Sequence, residues 1–98
     1  MTLAEFKRTL NGTTVPRGCG SALAALWWAR KGDWDKAHKL IMDEDSRDAA
    51  WVHAYLHRLE GDAGNAAYWY RQARKPVADG ALEPEWDAIA GALLDGGA

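Results

Sequence analysis

A Gly-Asp step occurs twice in the chain, as Gly32-Asp33 and Gly61-Asp62, and the residues around the two copies keep one register. At the same offset Ala37 recurs as Ala66 and Ala25 as Ala54. Leu26 corresponds to Tyr55, Trp27 to Leu56, Leu40 to Trp69 and Ile41 to Tyr70. Apolar and small residues at helical intervals on both sides of a turn signal leave few folds open: each copy reads as helix, turn, helix. Glycine ends the first helix in a left-handed conformation, and the aspartate caps the next. The alanines let the paired helices approach closely.

The flanking segments also read as helices and breakers. Thr2 and Glu5 have capping-box spacing ahead of Leu3, Phe6 and Leu10, and Asn11-Gly12 ends that helix. Gly12 to Gly20, with Pro16 inside it, is a loop. Ser21 is placed to cap a second helix running to Lys31, and a third spans about Asp33 to Asp43. Asp45 or Ser46 caps a fourth, which ends at Gly61. A fifth runs from about Asp62 to Lys75, before Pro76, and Asp79-Gly80 marks a turn. Pro84 suits the first turn of a last helix that ends in the Gly96-Gly97 tail. Almost nothing alternates with period two, so strands are not expected.

The expected architecture is a single all-α domain, an array of antiparallel helical hairpins with about six helices. Residues 1–11 form an N-terminal capping helix, 21–43 and 46–75 two hairpins, and 83–95 a C-terminal capping helix. Trp51 and Tyr70 are its expected core anchors.

The repeat resembles the tetratricopeptide repeat. Gly61, Ala66, Tyr70 and Ala73 stand where that family has its turn glycine, small residue, aromatic or aliphatic residue and second alanine. Gly32, Ala37 and Ile41 match three of these positions, and Glu44 departs from the fourth. The likeness covers roughly residues 21–76 and implies stacked helical hairpins. A longer likeness, from about Leu26 to Ala73, is to a group of short bacterial proteins without assigned activity. The segments LWWARKGDWDKAH, AAWVHAYLHRLEGD and NAAYWYRQA carry it. It implies a fold and no activity.

Charge and composition narrow the function classes. A formal charge of −2 gives no reason to expect nucleic acid or an anionic membrane as partner. The longest apolar run, Ala22 to Ala29, is too short to span a bilayer. The opening MTLAEFKRTL mixes acid and base and does not read as a signal peptide. A single cysteine, Cys19, forms no intrachain disulfide, so a cytoplasmic location is expected. Cys19 lies just before a helix start between glycines, where a thiolate is accessible and stabilised, yet no histidine is placed beside it as a base. Arg58, Arg71, Arg74 and Lys75, with Tyr68 and Trp69 near them, read as a solvated basic face rather than a base-stacking surface.

The chemistry-bearing residues centre on the three histidines. His53 and His57 share one face of the fourth helix, with Glu60 on the same strip. His38 lies on the apolar stripe of the third helix with Trp34, Ala37 and Ile41. All three face inward, so each imidazole needs a hydrogen-bond partner; Trp N–H groups, Asp62, Asn65, tyrosine hydroxyls and water are the options. The pair has a spacing that a divalent metal can use, but metal sites usually have three or four protein ligands. Structural, hydrogen-bonded histidines are therefore the first expectation. The candidate pocket comprises His38, His53, His57, Glu60, Asp62, Asn65 and Tyr68, with no catalytic or metal-ligand residue assigned and no cofactor implied.

The functional expectation is a small interaction module binding a protein, a peptide or a small molecule. The alternative is a histidine-based enzyme or metal-binding protein using His38, His53 and His57. The two readings differ in one observable. A module exposes side chains on the first helix of each hairpin, whereas a site gathers the imidazoles together.

Overall fold

A computed structural model describes residues 1–96, which form six helices: α1 Leu3–Thr9, α2 Ser21–Arg30, α3 Trp34–Ile41, α4 Arg47–Leu59, α5 Ala63–Ala73 and α6 Leu82–Gly96. There is no strand among the described residues. Gly97, the second residue of the expected Gly-Gly stop, lies outside them.

Local chemistry accounts for most of the helix ends. Thr2 and Glu5 form the expected reciprocal capping box, at 2.8 and 3.1 Å. Ser46 caps α4 by accepting from the Ala49 N–H at 3.1 Å. Ser21 does not cap α2. Gly20 holds that position without a side-chain cap, and the Ser21 hydroxyl donates to Glu44 Oε1 at 3.0 Å.

The two Gly-Asp turns are congruent bond for bond. Gly32 and Gly61 have φ of 89° and 87°. The Gly32 and Gly61 N–H groups donate three residues back, to Ala29 and Arg58, both at 3.1 Å. The Asp33 and Asp62 N–H groups donate five back, to Trp28 at 3.0 Å and His57 at 2.8 Å. This is the Schellman closure, which requires a left-handed residue and so favours glycine. Each aspartate then caps the following helix, at 3.1 Å to the Lys36 N–H and 3.2 Å to the Asn65 N–H.

α5 ends by the same closure on a less suitable residue. The Arg74 and Lys75 N–H groups donate to the Arg71 and Tyr70 carbonyls, and Arg74 sits at φ 59°, ψ 44°. That turn ends the helix at Ala73, earlier than the expected Lys75. A residue with a Cβ is disfavoured in this region by about 1–2 kcal/mol, part of which glycine recovers. Arg74→Gly is expected to stabilise the protein by about 0.5–1 kcal/mol. Urea unfolding of the variant checks it, and a lower midpoint than wild type would contradict the strain argument.

α4 is central. It packs most extensively on α5 and also meets α2, α3 and α6, while α2 packs on α3 and α1 on α6. Trp27, Trp86, Phe6, Leu26, Ile41, Leu56 and Ile89 are buried in the main core. Ala54, Ala66 and Tyr70 form a smaller cluster between α4 and α5. Trp51 is not the anchor the sequence leads one to expect. It is half-buried, and the Lys75 ammonium lies 4.2 Å from its ring centroid. Its face of α4 meets the connector between α5 and α6, which covers it incompletely. It lines a cavity of about 390 Å³ with Val77, Ala78 and Pro84. No helix among the described residues is long and apolar enough to cross a membrane.

Candidate functional site

The turn after α2 and its Asp33 cap set the start of α3. Burial of Ala37 and Ile41 then fixes its rotation, bringing His38 against α4. On α4, His53 and His57 lie one turn apart on the side facing α3 and α5. The small residues Ala37, Ala54 and Ala66, all buried, let the three backbones approach.

One nitrogen from each of the three imidazoles lies within 4.8 Å of the others. His38 Nε2 and His53 Nε2 are 3.1 Å apart. His53 and His57 stack at 4.9 Å with 24° between planes, and the His38 ring stands edge-on to both. The cluster is bracketed by indoles: Trp34 lies flat on His38 at 4.8 Å, and Trp69 flat on His53 at 3.9 Å. The Trp34 N–H is used elsewhere, donating to the Leu56 carbonyl at 2.7 Å. Trp34 and Trp69 therefore meet the histidines through their ring faces, and the Trp34 N–H, one of the partners the sequence offered, bonds elsewhere.

The remaining candidates form the rim. Glu60 Oε2 is 2.7 Å from His57 Nδ1. Such a carboxylate accepts the Nδ1–H and leaves Nε2 as the free lone pair. His57, Glu60 and Asp62 form a second group of close ligand atoms. Asp62 is occupied as the cap of α5, accepting from the Asn65 N–H and, at 2.7 Å, from Asn65 Nδ2. These two bonds hold its carboxyl below the usual range. Tyr68 is exposed at the rim, edge-on to Trp69 at 5.1 Å.

Other sequence candidates separate from this cluster. Arg58 is withdrawn from the expected basic face. Its guanidinium pairs with Glu85 at 2.7 Å and donates to the Gly80 carbonyl. Cys19 is half-buried, and burial pushes its thiol up rather than stabilising a thiolate. The cysteine lines a cavity of about 550 Å³ with Arg17, Leu23 and Asp48. The indoles of Trp34 and Trp69, which flank the cluster, lie outside the candidate pocket read from the sequence. The four-residue spacing of Trp34 and His38 was the available signal.

Burial, and then the charges of His38 and His57, lowers the His53 imidazole from 6.5 to about 4. Burial lowers His38 as well, with His57 adding to the shift and Glu60 and Asp35 opposing it. Both rings are thus neutral at pH 7, so across the 3.1 Å contact one Nε2 donates and the other accepts. The unfolded His53 takes up a proton near pH 6.5 while the folded one does not until about pH 4. Its contribution to stability is complete above pH 6.5 and is lost as the pH falls through this window. With allowance for partial solvation, the expected loss is on the order of 1–2 kcal/mol. Urea midpoints at pH 7 and pH 5 measure it, and His53→Asn is expected to flatten the dependence.

No protein-family model, curated protein or solved structure matches the chain.

Proposed function

We propose that the protein binds one divalent transition-metal ion of the zinc class through His38, His53 and His57. The observation that carries this reading is the convergence of three imidazoles from two helices, with His57 Nδ1 engaged by Glu60. Neutral imidazole suits zinc and its neighbours, and a carboxylate on the far nitrogen is the usual means of orienting such a ligand. Tetrahedral zinc, with Zn–N of about 2.0–2.1 Å, needs its ligand nitrogens about 3.3–3.4 Å apart. The His38–His53 pair stands near that span at 3.1 Å, and the third nitrogen lies within 4.8 Å. To join them, His57 has to turn out of its stack on His53 so that its lone pair points at the same ion.

The interaction-module reading draws less support. It calls for exposed side chains along α2 and α4, but α2 exposes Arg30 alone and α4 exposes Arg47 and Asp48 at its start. On the metal reading, the frame is a tetratricopeptide-like pair of hairpins. The bound ion ties the first unit to the second. A cytoplasmic setting with Cys19 reduced belongs to the same reading.

Calorimetry of chelator-treated protein with Zn²⁺ tests it. One ion is expected per chain, with affinity lost by at least about a hundredfold in His53→Ala and His57→Ala. Glu60→Gln is expected to weaken binding by about 10–100-fold while leaving the stoichiometry at one. Absence of binding by the wild type, or equal affinity in the histidine variants, overturns the proposal.

A further inference from the structure

We infer that an ion held by these histidines keeps a fourth position open to solvent, where water exchanges for a small anionic ligand. The inference rests on the metal reading above and goes beyond it, because it separates a site that handles an exogenous ligand from a closed structural one.

Ligand count is the first argument. Among the described residues, no fourth His, Cys, Asp or Glu donor joins the His38–His53–His57 group. Glu60 is close, but it engages Nδ1 of His57, on the ring edge away from Nε2. A carboxylate there orients the imidazole and does not share its ion. Asp62 is engaged by the two Asn65 bonds that cap α5. The only thiol, Cys19, lies in the cavity at the start of α2.

Access is the second. The two indoles cover imidazole faces, Trp34 on His38 and Trp69 on His53, each at 12° between planes. An imidazole binds metal in its ring plane, so face-stacking leaves the binding edges free. His38 is half-buried and flanked in α3 by exposed Asp35 and Lys39, while Glu60 is exposed on the α4 side. His53 and His57 are buried, so the way in for water is along the half-buried His38 edge, beside Asp35 and Glu60.

Charge gives the ligand class. Three neutral imidazoles leave the ion its full double charge, which favours hydroxide or a small anion at the vacant position. Glu60 and Asp62 lie beside His57, and Glu60 and Asp35 act on His38. They disfavour multiply charged anions and leave small monoanions as the best-matched class.

Cobalt substitution tests this on the full chain. Co²⁺ added to the chelator-treated protein is expected to give visible d–d bands at one ion per chain, absent in His53→Ala. Azide titrated into the Co²⁺ protein is expected to shift those bands saturably. X-ray absorption of the Zn²⁺ protein is expected to show four nitrogen or oxygen donors, with outer-shell scattering from three imidazoles only. Histidine-dependent Co²⁺ bands that ignore azide, with a fourth protein ligand in the absorption fit, overturn the open position and leave the metal reading standing. No histidine-dependent Co²⁺ or Zn²⁺ binding overturns both.

Discussion

Trp86→Ala is expected to lower the stability of the protein by about 3–5 kcal/mol, as large aromatic truncations in packed cores do. Trp86 is fully buried and stacks on Phe6, with centroids 5.8 Å apart. Its indole N–H donates to the Leu26 carbonyl at 2.8 Å, and the Arg30 guanidinium carbon lies 4.9 Å from its ring centroid. The residue thus joins α6 to α1 and α2 at once, and neighbours from three helices cannot all collapse into the gap. A domain of this size has a total stability of about 5–15 kcal/mol, so the variant retains a fraction of it. Trp51→Ala is the matched control: a half-buried ring over an open cavity loses less, about 1–2 kcal/mol. Urea unfolding of the pair measures the difference. Equal losses would mean that α6 is not docked as described.

That contrast shows where sequence reasoning ends. The two Gly-Asp turns were legible because each is local: glycine meets the left-handed requirement and aspartate supplies the cap within three residues. The inward placement of His38, His53 and His57 was legible for a similar reason. Helical period and repeat register fix which side of a helix a residue takes, whatever lies opposite. What lies opposite was not legible. Trp51 sits on α4 like a core residue, and only the course of the α5–α6 connector leaves it half covered. The stacking of Trp34 and Trp69 on the imidazoles depends on rotamers chosen by packing. The left-handed Arg74 carries no glycine to announce it. Glu85 looks like an ordinary acidic residue in the first turn of a helix, and its partner Arg58 is 27 positions away. Docking of α6 makes that pair, and nothing in the local sequence near either residue encodes it.

The Glu85 carboxylate is also where the second large effect is expected. Its side chain is 8% exposed and that of Arg58 16%. Arg58 Nη1 lies 2.7 Å from Oε1, and the Tyr70 hydroxyl donates to Oε2. Burial, and then this bond to Glu85, holds the Tyr70 phenol well above its usual range, so it remains a donor at any working pH. Glu85→Ala removes the acceptor for both groups and leaves a guanidinium in a poorly solvated site, with only the Gly80 carbonyl to bond. Breaking a buried pair from one side costs about 3–5 kcal/mol, whereas replacing both partners by apolar residues of similar volume is often close to neutral. Glu85→Ala is therefore expected to lose about that amount, and Arg58→Met with Glu85→Leu to recover most of it. Tyr70→Phe keeps the packed ring and gives up one bond, for about 1–2 kcal/mol. A double-mutant cycle by urea unfolding separates the terms. If Glu85→Ala unfolds at the wild-type midpoint, Arg58 is well solvated and the pair is a surface contact. If the double variant is as unstable as the single one, the cost lies in lost packing, and the ion pair does not hold α6 against α4 and α5.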